Sequence, residues 1–281
     1  MELTNYPVFS YDIRKRGIDY AAEHSAALGF QSVEFIDMYS ARTPLFDLID
    51  ADQAKRTLKR HGLSVACYSM GVSLHHNMEK NLANALRQVD LAAQLGSPFF
   101  HHTLTLMTVG REEMIPIEDM LARVLPSLRA IANRCKEYGM ITLYEPQGAY
   151  FNGKDGLDLL FNTMRAEGCT NIGFCADVAN SREFDEAAAD IFAHFAQDIR
   201  HVHLKDYVFT DVAPTDTYYY TSRKGTYMYD CEIGTGQIDL KECFDVLHSI
   251  DYQGAFSFEV HCDDEAMRRS IRYVKELWEK A

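Results

Sequence analysis

Four short apolar runs in this chain end at residues that bind cations or move protons: "TLYEP" at Glu145, "FCADVAN" at Asp177, "HVHLKD" at His203 and "SFEVH" at Glu259. Three carboxylates and one imidazole form a donor set for a hard divalent cation, and a carboxylate beside such an ion can also serve as a general acid or base. A single Asp or Glu at a strand end ordinarily caps a helix or pairs with a basic side chain. Four at equivalent places point to a shared ion, because unpaired carboxylates in one place repel one another and are driven toward protonation. In "RHVHLKD" the two histidines occupy alternate positions, so on a strand they share one face. His203, at the end, is read as a ligand, and His201, two residues deeper, as a satisfied core histidine.

The elements that would position these groups show in a repeated cadence, an amphipathic helix ending in glycine followed at once by an apolar run. Gly29, Gly62, Gly96, Gly139 and Gly168 mark it, at spacings of 33, 34, 43 and 29 residues. Each spacing holds one helix, one strand and two loops, and such alternation makes a parallel sheet. The strands are read as "NYPVFS", "SVEFID", "SVACYS", "PFFHHT", "MITLYE", "NIGFCAD", "RHVHLKD" and "AFSFEV". Eight units close into an α/β fold, a single (β/α)₈ TIM barrel spanning 1–281, whose chemistry gathers at the C-terminal strand ends. An open doubly wound sheet is the weaker choice, since no GxGxxG follows the first strand and no phosphate-loop lysine motif occurs.

Composition excludes other classes. At 281 residues and 47% hydrophobic, the chain has enough apolar content for one large core, and no Pro/Ser-rich linker divides it. A net charge of -13 without a basic tract argues against nucleic acid and for a small-molecule substrate. Seven cysteines with no CxxC pair suggest reduced thiols, and the absence of a signal core or long uncharged apolar run predicts a cytoplasmic protein without a membrane partner.

Taken in order, "LGFQSVEF", "LAAQLGSPFFHHT", "ITLYEP", "GFCADVAN", "HVHLKD", "GTGQIDL" and "FSFEV" resemble the motifs of the sugar phosphate isomerase/epimerase family, the xylose-isomerase-like barrels. The resemblance runs from about Gly29 to Glu259. It implies that Glu145, Asp177, His203 and Glu259 bind one divalent metal, and that the substrate is a ketose or keto-polyol, with or without a phosphate. It further implies an isomerase or epimerase of carbohydrate metabolism that works through an enediolate, with Glu145 and Glu259 as the catalytic pair that removes and returns a proton. Oxygen-rich ligation favours Mn²⁺, with Mg²⁺, Co²⁺ or Zn²⁺ as alternatives.

Three positions depart from the family's 3-epimerases: Asn180 stands for a histidine, Phe209 for an arginine and Phe151 for a glutamate. A dehydratase or lyase acting on a keto-sugar or keto-inositol is therefore the near alternative. An endonuclease IV-like phosphodiesterase is more remote, because it needs more histidines, including the one Asn180 replaces. A noncatalytic sugar-binding protein leaves Glu145 and Glu259 without a task.

Further residues are assigned around the site. Asn180 and Lys205 are read as substrate contacts, Lys205 being otherwise a carboxylate's partner or a surface lysine. His102 is either a donor to a substrate oxygen or a satisfied rim histidine, while His101 is expected to face the helices. Asp206 either orients His203 or caps its loop. Between His203 and Glu259 lie 56 residues, where one unit of such a barrel needs roughly 30 to 35. The excess falls in a tyrosine-rich loop at about 207–236, read either as a lid over the site or as an interface in a homodimer or homotetramer.

Overall fold

The computed structural model describes residues 1–37, 43–105 and 114–281. Eight parallel strands close into a barrel in the order β1-β11-β7-β6-β5-β4-β3-β2. They are β1 (Glu2–Tyr6), β2 (Ser32–Asp37), β3 (Ser64–Met70), β4 (Phe99–His102), β5 (Ile141–Tyr144), β6 (Ile172–Asp177), β7 (Ile199–Leu204) and β11 (Ala255–Glu259). The helical layer comprises α1 (Val8–Arg16), α2 (Ile18–Leu28), α3 (Ala51–Arg60), α4 (Met78–Leu95), α5 (Ile117–Glu137), α6 (Lys154–Ala166), α7 (Ala188–His194), α8 (Leu240–Ser249) and α9 (Asp264–Trp278).

Local chemistry sets the boundaries. Asp50, Asp239 and Asp263 cap α3, α8 and α9, each accepting from a backbone N–H three residues on. Gly29 and Gly96 adopt φ of 96° and 81° at the ends of α2 and α4, a left-handed turn that sends the chain straight into the next strand. The first strand differs from the sequence reading. It lies upstream of "PVFS", since Pro7 ends β1 and α1 begins at Val8, proline being well suited to a helix start.

Strand alternation divides the interior into two cores. Outward from β2, β3 and β4 point Phe35, Tyr68 and Phe100, which stack at centroid separations of 6.0 and 5.9 Å beneath the helices. Inside the barrel, Cys67, Leu143 and Cys175 pack with Phe99 and Ile141 as an apolar floor. Polar side chains stand above that floor. The loop after β7 is itself folded, as an antiparallel sheet of β8 (Tyr207–Thr210), β9 (Tyr220–Thr221) and β10 (Tyr227–Asp230) in the order β8-β10-β9.

Candidate metal centre

The barrel brings Glu145, Asp177, His203 and Glu259 together: each offers a ligand atom, and these atoms lie within 4.8 Å of one another. Glu145 directly follows β5, while Asp177 and Glu259 end β6 and β11. Asp177 Oδ1 accepts from the backbone N–H groups of Ala179 and Asn180, at 2.8 and 2.6 Å. That fixes the carboxylate and leaves Oδ2 for the cluster. His203 Nδ1 stands 2.7 Å from Glu145 Oε1 and 3.3 Å from Glu259 Oε2, and Tyr6 stacks on its ring. The side chain of Glu259 is 26% exposed, against 3% for Glu145 and 1% for His203, so Glu259 is the member that meets incoming solute.

The residues present fit a divalent ion. Among the described residues, Asp177 Oδ2 and Glu259 Oε2 are buried atoms without an aligned hydrogen-bond donor, although the Lys205 ammonium lies 3.2 and 2.9 Å from them. Burial, only partly offset by Lys205, pushes the Asp177 carboxyl up to about 6. Burial also acts on Glu145 and Glu259, but His203 and His101 outweigh it at Glu145, and Lys205 with His203 at Glu259, so both carboxyls are held below their ordinary range. The centre therefore keeps ionised carboxylates in a desolvated place, which is where a cation gains most.

The remaining residues assigned from the sequence divide. Lys205 is buried and donates to Asn180 Oδ1 at 3.1 Å, so these two stand at the cluster's edge together. His102 does not join it. Its ring packs edge-on to Tyr144, Nδ1 lies 3.0 Å from the Thr103 carbonyl, and burial lowers its pKa to about 4. The expectation for the histidine pair is inverted: His101 faces the barrel interior, with Nδ1 2.9 Å from Ser69 Oγ and Nε2 3.4 Å from Glu145 Oε2. Strand parity is the cause, since His102 shares the outer face with Phe100. Asp206 does not orient His203. Its two oxygens accept from the N–H groups of Tyr207, Gly234, Gly236 and Ile238 and so tie up the "GTGQI" turn. Phe151 lies in the core, and Phe209 lies under Arg182.

Sequence reasoning missed Glu34. Midway along β2 and fully buried, it hydrogen-bonds His201, His203, Ser69 and Ser257. A lone Glu between Val33 and Phe35 in the middle of "SVEFID" was the available signal.

At the C-terminal face a cleft of about 500 Å³ opens between Met114, Gly148, Ala149, Glu183, Phe184, Thr221 and Arg223. No helix among the described residues is long and apolar enough to cross a membrane.

A parallel eight-stranded barrel with four ligand-type residues at its strand ends defines the class. The chain belongs to the xylose isomerase-like TIM barrel family, whose model matches residues 22–277. In structure it is similar to a D-allulose 3-epimerase from Methylomonas sp., at TM-score 0.75 and 16% identity, covering 99% of this chain and 98% of that one. It is similar also to a probable 3-DHS dehydratase from Bacillus anthracis, at TM-score 0.75 and 14% identity over 98% and 99% of the two chains. A xylose isomerase-like TIM barrel protein from Mycobacterium smegmatis in complex with magnesium aligns at TM-score 0.72 and 17% identity over 99% and 96%. No curated protein sequence matches the chain significantly.

Proposed function

We propose that the protein is a divalent-metal-dependent sugar isomerase or epimerase, acting on a ketose or keto-polyol by moving a proton at the carbon beside the carbonyl. The observation that carries this reading is the convergence of Glu145 and Glu259 on one centre from β5 and β11, strands separated in the barrel by β6 and β7. A substrate held between two carboxylates that reach it from different strands can lose a proton to one and regain it from the other. Glu145, Asp177, His203 and Glu259 would hold the metal, which supplies a Lewis acid that stabilises negative charge developing on the substrate's carbonyl oxygen. Mn²⁺ is the ion proposed, on the strength of the oxygen-rich donor set, and the magnesium complex of a structural neighbour supports a hard divalent ion in this fold.

The chain's own residues supply the rest. Lys205 and Asn180 form a hydrogen-bonded pair beside Asp177 and Glu259 and are placed to contact substrate hydroxyls or its carbonyl. The barrel walls exclude bulk water from all but Glu259.

A second reading, dehydration of a keto-sugar or keto-inositol, is favoured by Asn180. Its amide cannot relay a proton near neutral pH, so the glutamate that takes the carbon proton would return it to the neighbouring hydroxyl, which leaves as water while the carbon–carbon double bond forms. The dehydratase among the structural neighbours supports this variant.

The test is a panel of keto-sugars and keto-inositols incubated in D₂O with chelator-treated protein, with and without Mn²⁺. Deuterium appearing on a substrate carbon only with metal supports the reading, and the product shows whether a centre was inverted or water lost. A panel that covers these substrate classes and shows neither exchange nor turnover would refute it.

A further inference from the structure

Beneath the four strand-end residues the barrel holds a second polar assembly, organised around Glu34. Its carboxylate is wholly buried, and among the described residues no Lys or Arg is bonded to it. Ser69 Oγ donates to Oε1, where His203 Nε2 also lies, at 3.2 Å. On the other side, His201 Nε2 stands 2.7 Å from Oε2, which Ser257 Oγ also approaches. A carboxylate accepts about four hydrogen bonds, so every lone-pair direction of Glu34 is taken. That saturation argues against the group Glu34, His201 and His203 as a metal site of its own, although their ligand atoms also lie within 4.8 Å of one another.

The consequence falls on His203. An imidazole whose Nε2–H donates to Glu34 presents its Nδ1 lone pair on the opposite side, toward Glu145 and Glu259. Turning the ring out of its plane breaks the Glu34 bond and the stack on Tyr6 together, and flipping it within that plane loses the Glu34 bond. His201 cannot take over the role, because its Nε2 is held by Glu34 and Ser257 and its Nδ1 is buried without a partner among the described residues.

We propose that Glu34 is a positioning residue, a buried four-donor hub that fixes the ring of His203 so that Nδ1 faces the metal site. This rests on the metal-binding reading given above. Partners of this kind, which hold the far nitrogen of a ligating histidine, typically change metal affinity by about 10- to 100-fold when removed.

Mn²⁺ alone is a sufficient probe. Isothermal titration of the purified chain should show one site, and Glu34→Gln should keep that site but weaken it about 10- to 100-fold. Ser69→Ala with Ser257→Ala leaves the Glu34 charge in place while removing two of its donors. This double variant should weaken Mn²⁺ by less, and it carries the test if Glu34→Gln does not fold. Leu58→Ala, in the helical layer, should lower the melting temperature and leave Mn²⁺ affinity unchanged, which separates positioning from mere stability. Glu34→Gln and the double variant both binding as tightly as wild type would overturn the inference and leave the metal reading standing. Wild-type protein that takes up no divalent ion would overturn both.

Discussion

Glu145 and Glu259 lie 114 positions apart in the sequence, on strands that are not neighbours, yet their carboxylates come within 4.8 Å. Between them stand β6 and β7, which bring Asp177 and His203 to the same point. Pairwise contact along one strand edge could not produce this arrangement. It comes from closing the sheet, which turns separate strand ends into one ring.

Removing metal should therefore destabilise the fold as well as stop the chemistry. An ion present at 100 times its dissociation constant contributes about 2.7 kcal/mol, or about 5 to 10 °C in melting temperature for a chain of this size. Differential scanning fluorimetry after chelation, then after adding Mn²⁺ or Mg²⁺, should show that loss and its recovery. An identical melting curve throughout would speak against a bound ion.

The two adjacent histidines of β4 should respond differently. His102→Ala removes a ring packed on Tyr144 of β5, on the outer face of the barrel, and should cost about 1–3 kcal/mol of stability while leaving kcat/KM near wild type. His101→Ala, beside Glu145, should lower turnover more than it lowers stability. Chemical denaturation and steady-state kinetics on both variants check this, and the opposite pattern would return His102 to the site.

How much of this was legible in the sequence depends on which rule each residue obeys. The four strand-end residues could be found because the cadence of helix, glycine and strand locates strand ends to within a residue or two. Facing could not be found the same way. "FFHH" fits either parity, and only the pairing of His101 with Ser69 decides it. Glu34 sits in mid-strand, below the strand ends at which the chemistry of such a barrel gathers, so position alone does not single it out. Asp206 stayed open between His203 and its own loop because the partners that decide it, Gly234, Gly236 and Ile238, lie beyond the folded loop.

Stability should carry a pH signature at the seam of the barrel. His24 on α2 bonds Asp12 of α1 and Asp264 of α9, at 2.6 and 2.9 Å. Burial alone would lower its pKa, but these two carboxylates outweigh burial and raise it above the ordinary 6.5. A raised pKa in the folded state means that the contribution is complete below the unfolded value and fades as pH climbs through the folded one. Relative to His24→Gln, wild type should gain up to about 1 kcal/mol below pH 6.5, and the gain should shrink as pH rises above it. Urea unfolding across that range measures the difference, and a gap that widened with pH would contradict the assignment.

The tyrosine-rich sheet after β7 is expected to act as a wall or lid. Tyr220 is half-buried while Tyr218 is 66% exposed, so this segment has both an inner and an outer face. Substrate with Mn²⁺ should slow amide exchange across residues 214–229, and shortening that segment should raise KM or lower kcat without unfolding the barrel. Unchanged exchange together with unchanged kinetics would leave the subunit-interface reading, which sedimentation of the shortened variant would then test.

The proton-transfer role of the glutamate pair can be tested by deuterium incorporation from D₂O into the carbon-bound position of a turned-over keto-sugar, comparing wild type with Glu145→Gln and Glu259→Gln. Each variant keeps the side chain's shape and removes a basic carboxylate. Wild type with Mn²⁺ should exchange, and each variant should lose exchange by about 100-fold or more while remaining folded by circular dichroism. Near wild-type exchange in either variant would contradict its assignment as a proton-transfer group.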